Sequence, residues 1–178
     1  MAPPTIFNAQ QLREVNEAMA KAEEVVSDAF KMSASQWLRH RYDVRTRIQL
    51  TAEEIVQGPF AQVIRYRGQR PGTSLGSSAY DFYKICLQDH AILAAIEQHR
   101  ELRLSAFILY VGVHELIHIL RFGYFLQRFV ATADEMMVEE TRVHRLTREI
   151  VGPLPEPGMG AVLNFFAHWQ PPIDGLIQ

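Results

Sequence analysis

One apolar segment, residues 104–121, limits what this 178-residue chain can fold into more than any other feature. From Leu104 to Leu120 the only acidic or basic residues are His114, Glu115 and His118. A helix that is apolar all round must be buried, so the segment predicts a central core helix over residues 101–121. Its longest charge-free part before His114 is about half of what a membrane span needs, and we therefore expect no membrane-embedded protein.

The polar residues of this helix form the pattern HELIH at positions 114–118. Residues four apart share one helix face, so His114 and His118 can bind one cation together. Glu115 is offset by about 100° and can stand beside the cation without binding it. Catalytic zinc sites use this arrangement, in which histidines bind the metal and a neighbouring carboxylate takes a proton from the metal-bound water. We predict one zinc ion per chain, with His114 and His118 as ligands and Glu115 as general base.

A plainer interpretation of the same residues is structural. The two histidines could be satisfied by hydrogen bonds within the core, and Glu115 by an arginine. An HExxH pattern by itself is only a hypothesis. However, unpaired buried charges are costly, and a metal ion would be a partner for all of these groups at once.

A catalytic zinc needs a third protein ligand and an open fourth position. The helix predicted over residues 133–150 offers Glu139, Glu140 and His144. The two glutamates flank its apolar face on opposite sides, and His144 lies one turn beyond Glu140. Periodicity does not choose between the glutamates, and either one could instead belong to a solvated acidic edge of the helix.

The segment VGVHELIHIL resembles the zinc-binding helix of zincin metallopeptidases, including the uncharged positions around the histidines. Gluzincins add a glutamate on a following helix, often within ExxxD, and EETRVH contains Glu140-x-x-x-His144 at similar spacing. The resemblance, which covers residues 104–150, implies zinc ligation by His114, His118 and Glu140, with Glu115 as general base and then acid. His144 stands where the family usually has Asp, orienting a ligand, and it remains an alternative third ligand, as does Glu139.

The remaining patterns predict an α+β fold that is mainly α. Helices are expected over 9–31 and 90–99, the second capped by Asp89, and a capping box at Thr51 and Glu54 suggests a short one. Alternating segments at 60–67 and 80–87 predict an antiparallel hairpin. In the zincin plan, a sheet edge beside the metal binds an extended peptide by strand addition.

We expect a single domain, 1–178, with a helical N-terminal part (1–58), a zincin-like metal-binding core (59–151) and a Pro- and Gly-rich C-terminal tail (152–178). The net charge of −2 lacks the basic footprint of a nucleic-acid binder. The single cysteine, Cys86, and the absence of signal-peptide features favour a cytoplasmic protein.

The expected function is a zinc-dependent hydrolase that cleaves peptides or proteins. The alternative is a non-catalytic zinc protein in which the metal joins two helices, and a fourth protein ligand such as His90 or His168 would favour it. A di-iron carboxylate bundle ranks last, because it needs a second Glu-x-x-His and the chain has none. Four tyrosines could donate to the oxyanion of a tetrahedral intermediate, although packing is the commoner role of such residues: Tyr80, Tyr83, Tyr110 and Tyr124.

Overall fold

The computed structural model describes residues 5–69, 79–124, 131–169 and 174–177. Its α-helices are α1 (Ala9–Phe30), α2 (Ala34–Trp37), α3 (Asp89–Gln98), α4 (Leu104–Gly123), α5 (Ala133–Val151) and α6 (Met159–Ala167). Its strands are β1 (Tyr42–Arg45), β2 (Ala61–Gln69), β3 (Ala79–Leu87) and β4 (Asp174–Ile177). The predicted class, α+β and mainly helical, is confirmed.

The predicted hairpin forms the centre of the sheet. Strands β2 and β3 are antiparallel, with Val63 opposite Ile85, while most of the loop between them, residues 70–78, lies outside the described residues. The strand order is β1-β3-β2-β4, and both outer strands pair in parallel. The outer pairings were not predicted. They cover Ala61–Ile64 of β2 and Tyr83–Cys86 of β3, so about half of each hairpin strand is paired on its outer side within the described residues.

Helix α4 is the core of the molecule, as its apolar sequence predicts. All but three of its residues are buried, including His114, Glu115 and His118. Its closest helix neighbour is α1, whose buried face runs from Val15 to Val26. Gly112 allows this approach, because a Cβ there would lie 2.7 Å from the sulfur of Met19.

By length and composition α4 could also cross a membrane, since an 18-residue window has a mean hydropathy of 1.4. However, 89% of that window is buried inside the protein. A buried core helix passes the same test, so this property is weak evidence for a membrane.

The segment described from the sequence as a tail, 152–178, contains helix α6 and strand β4. Helix α6 buries Met159, Val162 and Phe166. Phe166 packs against Phe107 of α4 with the two rings tilted by 37°, and it stacks on Tyr110. Helix α6 is therefore part of the core, and its residues Phe166 and Ala167 line a cleft beside α5.

The helix suggested by Thr51 and Glu54 is shorter than its capping box indicates, with only a 3-10 turn at Ala52–Glu54. The cause is Gln88, because its buried side chain hydrogen-bonds the backbone groups that would form the next turn of the helix. Its amide nitrogen donates to the Glu54 carbonyl at 3.0 Å, and its oxygen accepts from the Val56 N–H at 3.0 Å.

Asp89 does not cap α3 as predicted. The cap position is Gln88, and Asp89 is the first helical residue. Its carboxylate instead accepts the backbone N–H groups of Phe7 at 3.0 Å and Arg47 at 2.9 Å. Asp89 thus joins the N-terminal segment and the region after β1 to the start of α3.

Candidate metal centre

The candidate site lies between two antiparallel rows of side chains, one on α4 and one on α5. Tyr110, His114 and His118 follow one another at steps of four on α4, so they project from one face. Glu140 and His144 are likewise four apart on α5. The rows meet in opposite order: His118 contacts Glu140, while Tyr110 contacts His144. Helical periodicity and the packing of α4 on α5 therefore bring these five side chains together.

Three side chains form a compact triangle of potential ligand atoms. The Nε2 atoms of His114 and His118 are 3.2 Å apart. Glu140 places one carboxylate oxygen 3.0 Å from His114 Nε2 and the other 3.2 Å from His118 Nε2. These two contacts involve different oxygens of Glu140, and one ligand atom from each of the three residues lies within 4.8 Å of the others. Tetrahedral zinc bonds of about 2.0 to 2.2 Å separate neighbouring ligand atoms by about 3.3 to 3.6 Å, so a small movement of the side chains would fit the three groups around one ion.

Hydrogen bonds alone do not satisfy this triangle. A ring nitrogen of histidine either donates one hydrogen or accepts with one lone pair. If both Nε2 atoms donate to an ionised Glu140, both contacts with the carboxylate are satisfied, but two donor nitrogens then lie 3.2 Å apart and cannot hydrogen-bond each other. If either one accepts instead, its contact with the carboxylate loses its hydrogen. A cation inside the triangle replaces the hydrogens and attracts all three groups, so the donor set fits a metal.

Burial and neighbouring groups shift the pKa values of two of the candidate ligands, His114 and Glu140, toward the forms that bind a metal. Desolvation lowers the pKa of His114 to about 4, although the charge of Glu140 acts in the opposite direction. Its Nδ1 is buried, and no described group hydrogen-bonds it. Burial by itself would raise the pKa of Glu140, but contacts with the imidazoles of His114, His118 and His144 outweigh this and lower it. Neutral imidazole and ionised carboxylate are the metal-binding forms.

His144 lies directly behind Glu140. Its Nε2 is 3.4 Å from a Glu140 oxygen, and its Nδ1 is 2.7 Å from the Tyr110 hydroxyl. If the hydroxyl donates to Nδ1, the tautomer with a hydrogen on Nε2 points that hydrogen at Glu140. Tyr110 is fully buried and stacks on Phe166 with ring centroids 4.2 Å apart. The chain Tyr110–His144–Glu140 therefore orients the carboxylate.

Glu139 is directed elsewhere. Its carboxylate pairs with Arg121 of α4 and, at 2.8 Å, with Arg142 of its own helix. Of Glu139, Glu140 and His144, the three candidates for the third ligand, Glu140 is the one that forms a cluster with His114 and His118. Glu115 is fully buried and follows His114 on α4, so it lies about 100° around the helix from the ligand row.

The two histidines considered as a fourth ligand lie outside the cluster. His168 hydrogen-bonds the carbonyl of Asn164 on its own helix at 2.9 Å. His90 lines a separate cavity of about 260 Å³ together with Phe60 and Trp169. Among the tyrosines, Tyr83 stacks on Phe122 with centroids 6.2 Å apart, and Tyr124 is exposed at the end of α4. The side chain of Tyr80 is outside the described residues.

A cleft of about 670 Å³ between α5 and α6 leads toward the cluster. His144, Arg145, Arg148, Phe166 and Trp169 are among the residues that line it. Phe166 is buried, whereas Arg145 and Arg148 are exposed. The side chains of Glu140 and His144 are 13% and 19% exposed, whereas those of His114 and His118 are almost completely buried. Access from solvent to the ligands is thus from the α5 side.

No protein-family model, curated protein or solved structure matched the chain. The interpretation of the site therefore rests on the chain's own distances, burial and chemistry. The contact that the sequence did not reveal is the bond from Tyr110 to His144. A signal for it was present, because Tyr110 is four residues before His114 and shares its helix face. Its pairing with His144 depended on the order in which the two helices meet.

Replacing Tyr110 by phenylalanine tests the orienting chain. The variant keeps the ring that stacks on Phe166 but loses the hydroxyl that holds His144. Partners that orient metal ligands contribute about 10- to 100-fold to affinity, and because Tyr110 acts through His144 we expect zinc binding about tenfold weaker, measured by competition with a chelator. Tyr124→Phe removes an exposed hydroxyl at the end of the same helix and serves as the control. Equal affinities of the two variants would contradict the role of Tyr110.

Proposed function

We propose that this chain is a zinc-dependent hydrolase that cleaves peptide bonds, as its resemblance to the zincins implies. One observation carries the proposal: two imidazole nitrogens and a carboxylate from two helices converge to within 3.2 Å of one another in the core. Such a group is costly to bury unless a cation neutralises it. Glu115, adjacent to His114 on α4, supplies the acidic residue that hydrolysis requires.

His114, His118 and Glu140 would hold the ion, which leaves a fourth position of a tetrahedron for the reaction. When bound, zinc would polarise a water molecule and the substrate carbonyl. His144 Nε2 is 3.4 Å from a Glu140 oxygen, and this contact would keep the carboxylate directed at the two histidines.

Glu115 would act as the proton carrier. Its carboxylate would take a proton from the attacking water and then deliver that proton to the leaving amine, as general base and then general acid. Glu115 is completely buried beside His114, so it is held close to the candidate ligand row. A peptide or protein would enter through the cleft between α5 and α6. The reaction would take place in the cytoplasm, where the buried thiol of Cys86 would stay reduced.

Metal analysis and a peptide digest together test the proposal. After equilibration with zinc and removal of the excess, we expect about one zinc ion per chain. Digestion of a mixture of unstructured peptides should then give new peptide termini by mass spectrometry, and a chelator should stop the cleavage until zinc is restored. A stoichiometric zinc protein that cleaves none of the peptides would contradict the enzymatic proposal while leaving the metal site intact.

A structural zinc is the second candidate, and the position of His144 favours it. The ring centroid of His144 is 4.8 Å from that of His114, so a modest movement would make it a fourth ligand and close the site. Cobalt in place of zinc distinguishes the two cases, because the visible spectrum of cobalt reports its ligands. A small hydroxamate should change the spectrum if one position is open. An unchanged spectrum would favour a closed, structural site.

A further inference from the structure

We infer that the cleft between α5 and α6 binds a carboxylate of the substrate through Arg148 and Arg145, so that the enzyme acts on acidic peptides. This inference rests on the proposed function, because it names the substrate class of that same site. Both arginines lie on α5 and line the cleft, and His144 connects the cleft to the metal ligands.

The arrangement follows from one row of residues on α5. Glu140, His144 and Arg148 are spaced by four, so they project from the same side of the helix. Glu140 touches both candidate metal-binding histidines, and His144 touches Glu140. Arg148 lies at the far end of the row, where it is exposed and lines the cleft. A substrate lying along this row would have its reactive bond near Glu140 and an anionic group near Arg148.

Arg148 is held in place for such a contact. Its NH1 group donates to the carbonyl of Leu163 on α6 at 2.9 Å, which fixes the guanidinium across the cleft. This bond uses one of the five hydrogen-bond donors of the guanidinium. A guanidinium can bind a carboxylate through two parallel hydrogen bonds, which makes arginine the preferred residue for this group.

The charge and the surface of the cleft agree with an anionic peptide. Arg145 and Arg148 contribute two positive charges, against one negative charge from Glu149. Phe166 and Trp169 form an aromatic wall opposite them. A small hydrophilic anion would not need this wall, whereas a peptide can pack an apolar side chain against it while its carboxylate reaches the arginines.

Helix α5 also sets the distance between the bond that is cleaved and the carboxylate of the substrate. Eight residues from Glu140 to Arg148 correspond to a rise of about 12 Å. An extended peptide advances about 3.3 Å per residue, so the carboxylate should lie about three to four residues from the bond that is cleaved. The carboxylate could be a side chain of Asp or Glu, or the C-terminus of a short peptide.

Four short acetylated peptides separate these sources in a binding experiment. All have an alanine backbone of four residues: one ends in glutamate amide, one in glutamine amide, one in alanine with a free carboxyl group, and one in alanine amide. Binding is followed by calorimetry on the wild-type protein, both metal-free and zinc-loaded. We expect each carboxylate peptide to bind about tenfold more tightly than its neutral counterpart, and the stronger of the two identifies the source.

Variants of exposed residues complete the test. Arg148→Gln should remove the tenfold preference, and Arg148→Lys should retain part of it because the charge remains. Arg13→Gln, an exposed arginine on α1, is the matched control and should change nothing. Equal binding of charged and neutral peptides, or a preference that survives Arg148→Gln, would overturn the inference.

The inference and the proposed function fail in different ways. Peptide cleavage without any preference for an acidic residue would retain the hydrolase and reject the carboxylate site. A carboxylate preference in a protein that neither binds zinc nor cleaves peptides would retain the binding site and reject the hydrolase.

Discussion

Replacing Glu115 by glutamine is expected to abolish peptide cleavage while zinc stays bound. The substitution keeps the size of the side chain but removes the group that would carry the proton. General acid–base catalysis contributes about 10²- to 10⁴-fold, so the cleavage rate should fall by at least about a hundredfold. The zinc content should remain at one ion per chain, because Glu115 lies off the face that bears His114 and His118. Cleavage rates and metal analysis on the same preparation measure both quantities.

The control for this variant is Glu97→Gln, which changes an exposed glutamate on α3 and should keep full activity. Thermal unfolding of both variants establishes that the fold is retained. Glu115 is completely buried, and a neutral amide costs less to bury than a carboxylate. Desolvation at this position should therefore not lower the unfolding temperature of the Glu115→Gln variant. Unchanged cleavage by Glu115→Gln would show that another group carries the proton, and loss of zinc would show that Glu115 is itself a ligand.

Replacing Glu140 by glutamine is expected to have the largest effect on zinc affinity. An amide is neutral and a poor zinc ligand, so the site would lose both a bond and the negative charge that faces two imidazoles. Residues that merely orient ligands contribute about 10- to 100-fold to affinity. Loss of a ligand should therefore weaken zinc binding by at least about a hundredfold, measured by competition with a chelator of known affinity.

Glu139→Gln is a closely matched control, since it changes the same residue type one position earlier on α5. Its carboxylate pairs with Arg121 and Arg142 instead of facing the histidines. We expect this variant to lose some stability, since Glu139 is mostly buried between its two arginines, but to bind zinc as the wild type does. If Glu139→Gln lost zinc and Glu140→Gln retained it, the assignment of the third ligand would be reversed.

Local patterns were sufficient for several parts of the fold. The uncharged residues around His114 and His118 predicted the buried helix α4, because a helix without a polar face cannot lie at the surface. The alternating residues of β2 and β3 predicted the antiparallel hairpin, since strand periodicity and a connecting loop are local properties. The shared face of His114 and His118 followed from a spacing of four within a single helix.

Other parts were beyond local patterns because they depend on distant partners. Thr51 and Glu54 have the form of a helix start, yet Gln88 binds the backbone that would have continued it. The parallel pairings of β1 with β3 and of β4 with β2 join segments far apart in the chain. Helix α6 lies in the segment predicted as a Pro- and Gly-rich tail, and its short apolar face is buried by packing against α4 and Phe60, which are distant in the chain.

The sequence by itself determined that one helix is buried and that its two histidines project together, since both are consequences of composition and a 3.6-residue period. Only the tertiary structure decided which acidic side chain meets them. Glu139 and Glu140 differ by about 100° around α5, and the rotation of α5 against α4 turns Glu140 to the histidines and Glu139 to Arg121. That rotation is set by the packing of whole helix faces, which no short motif encodes.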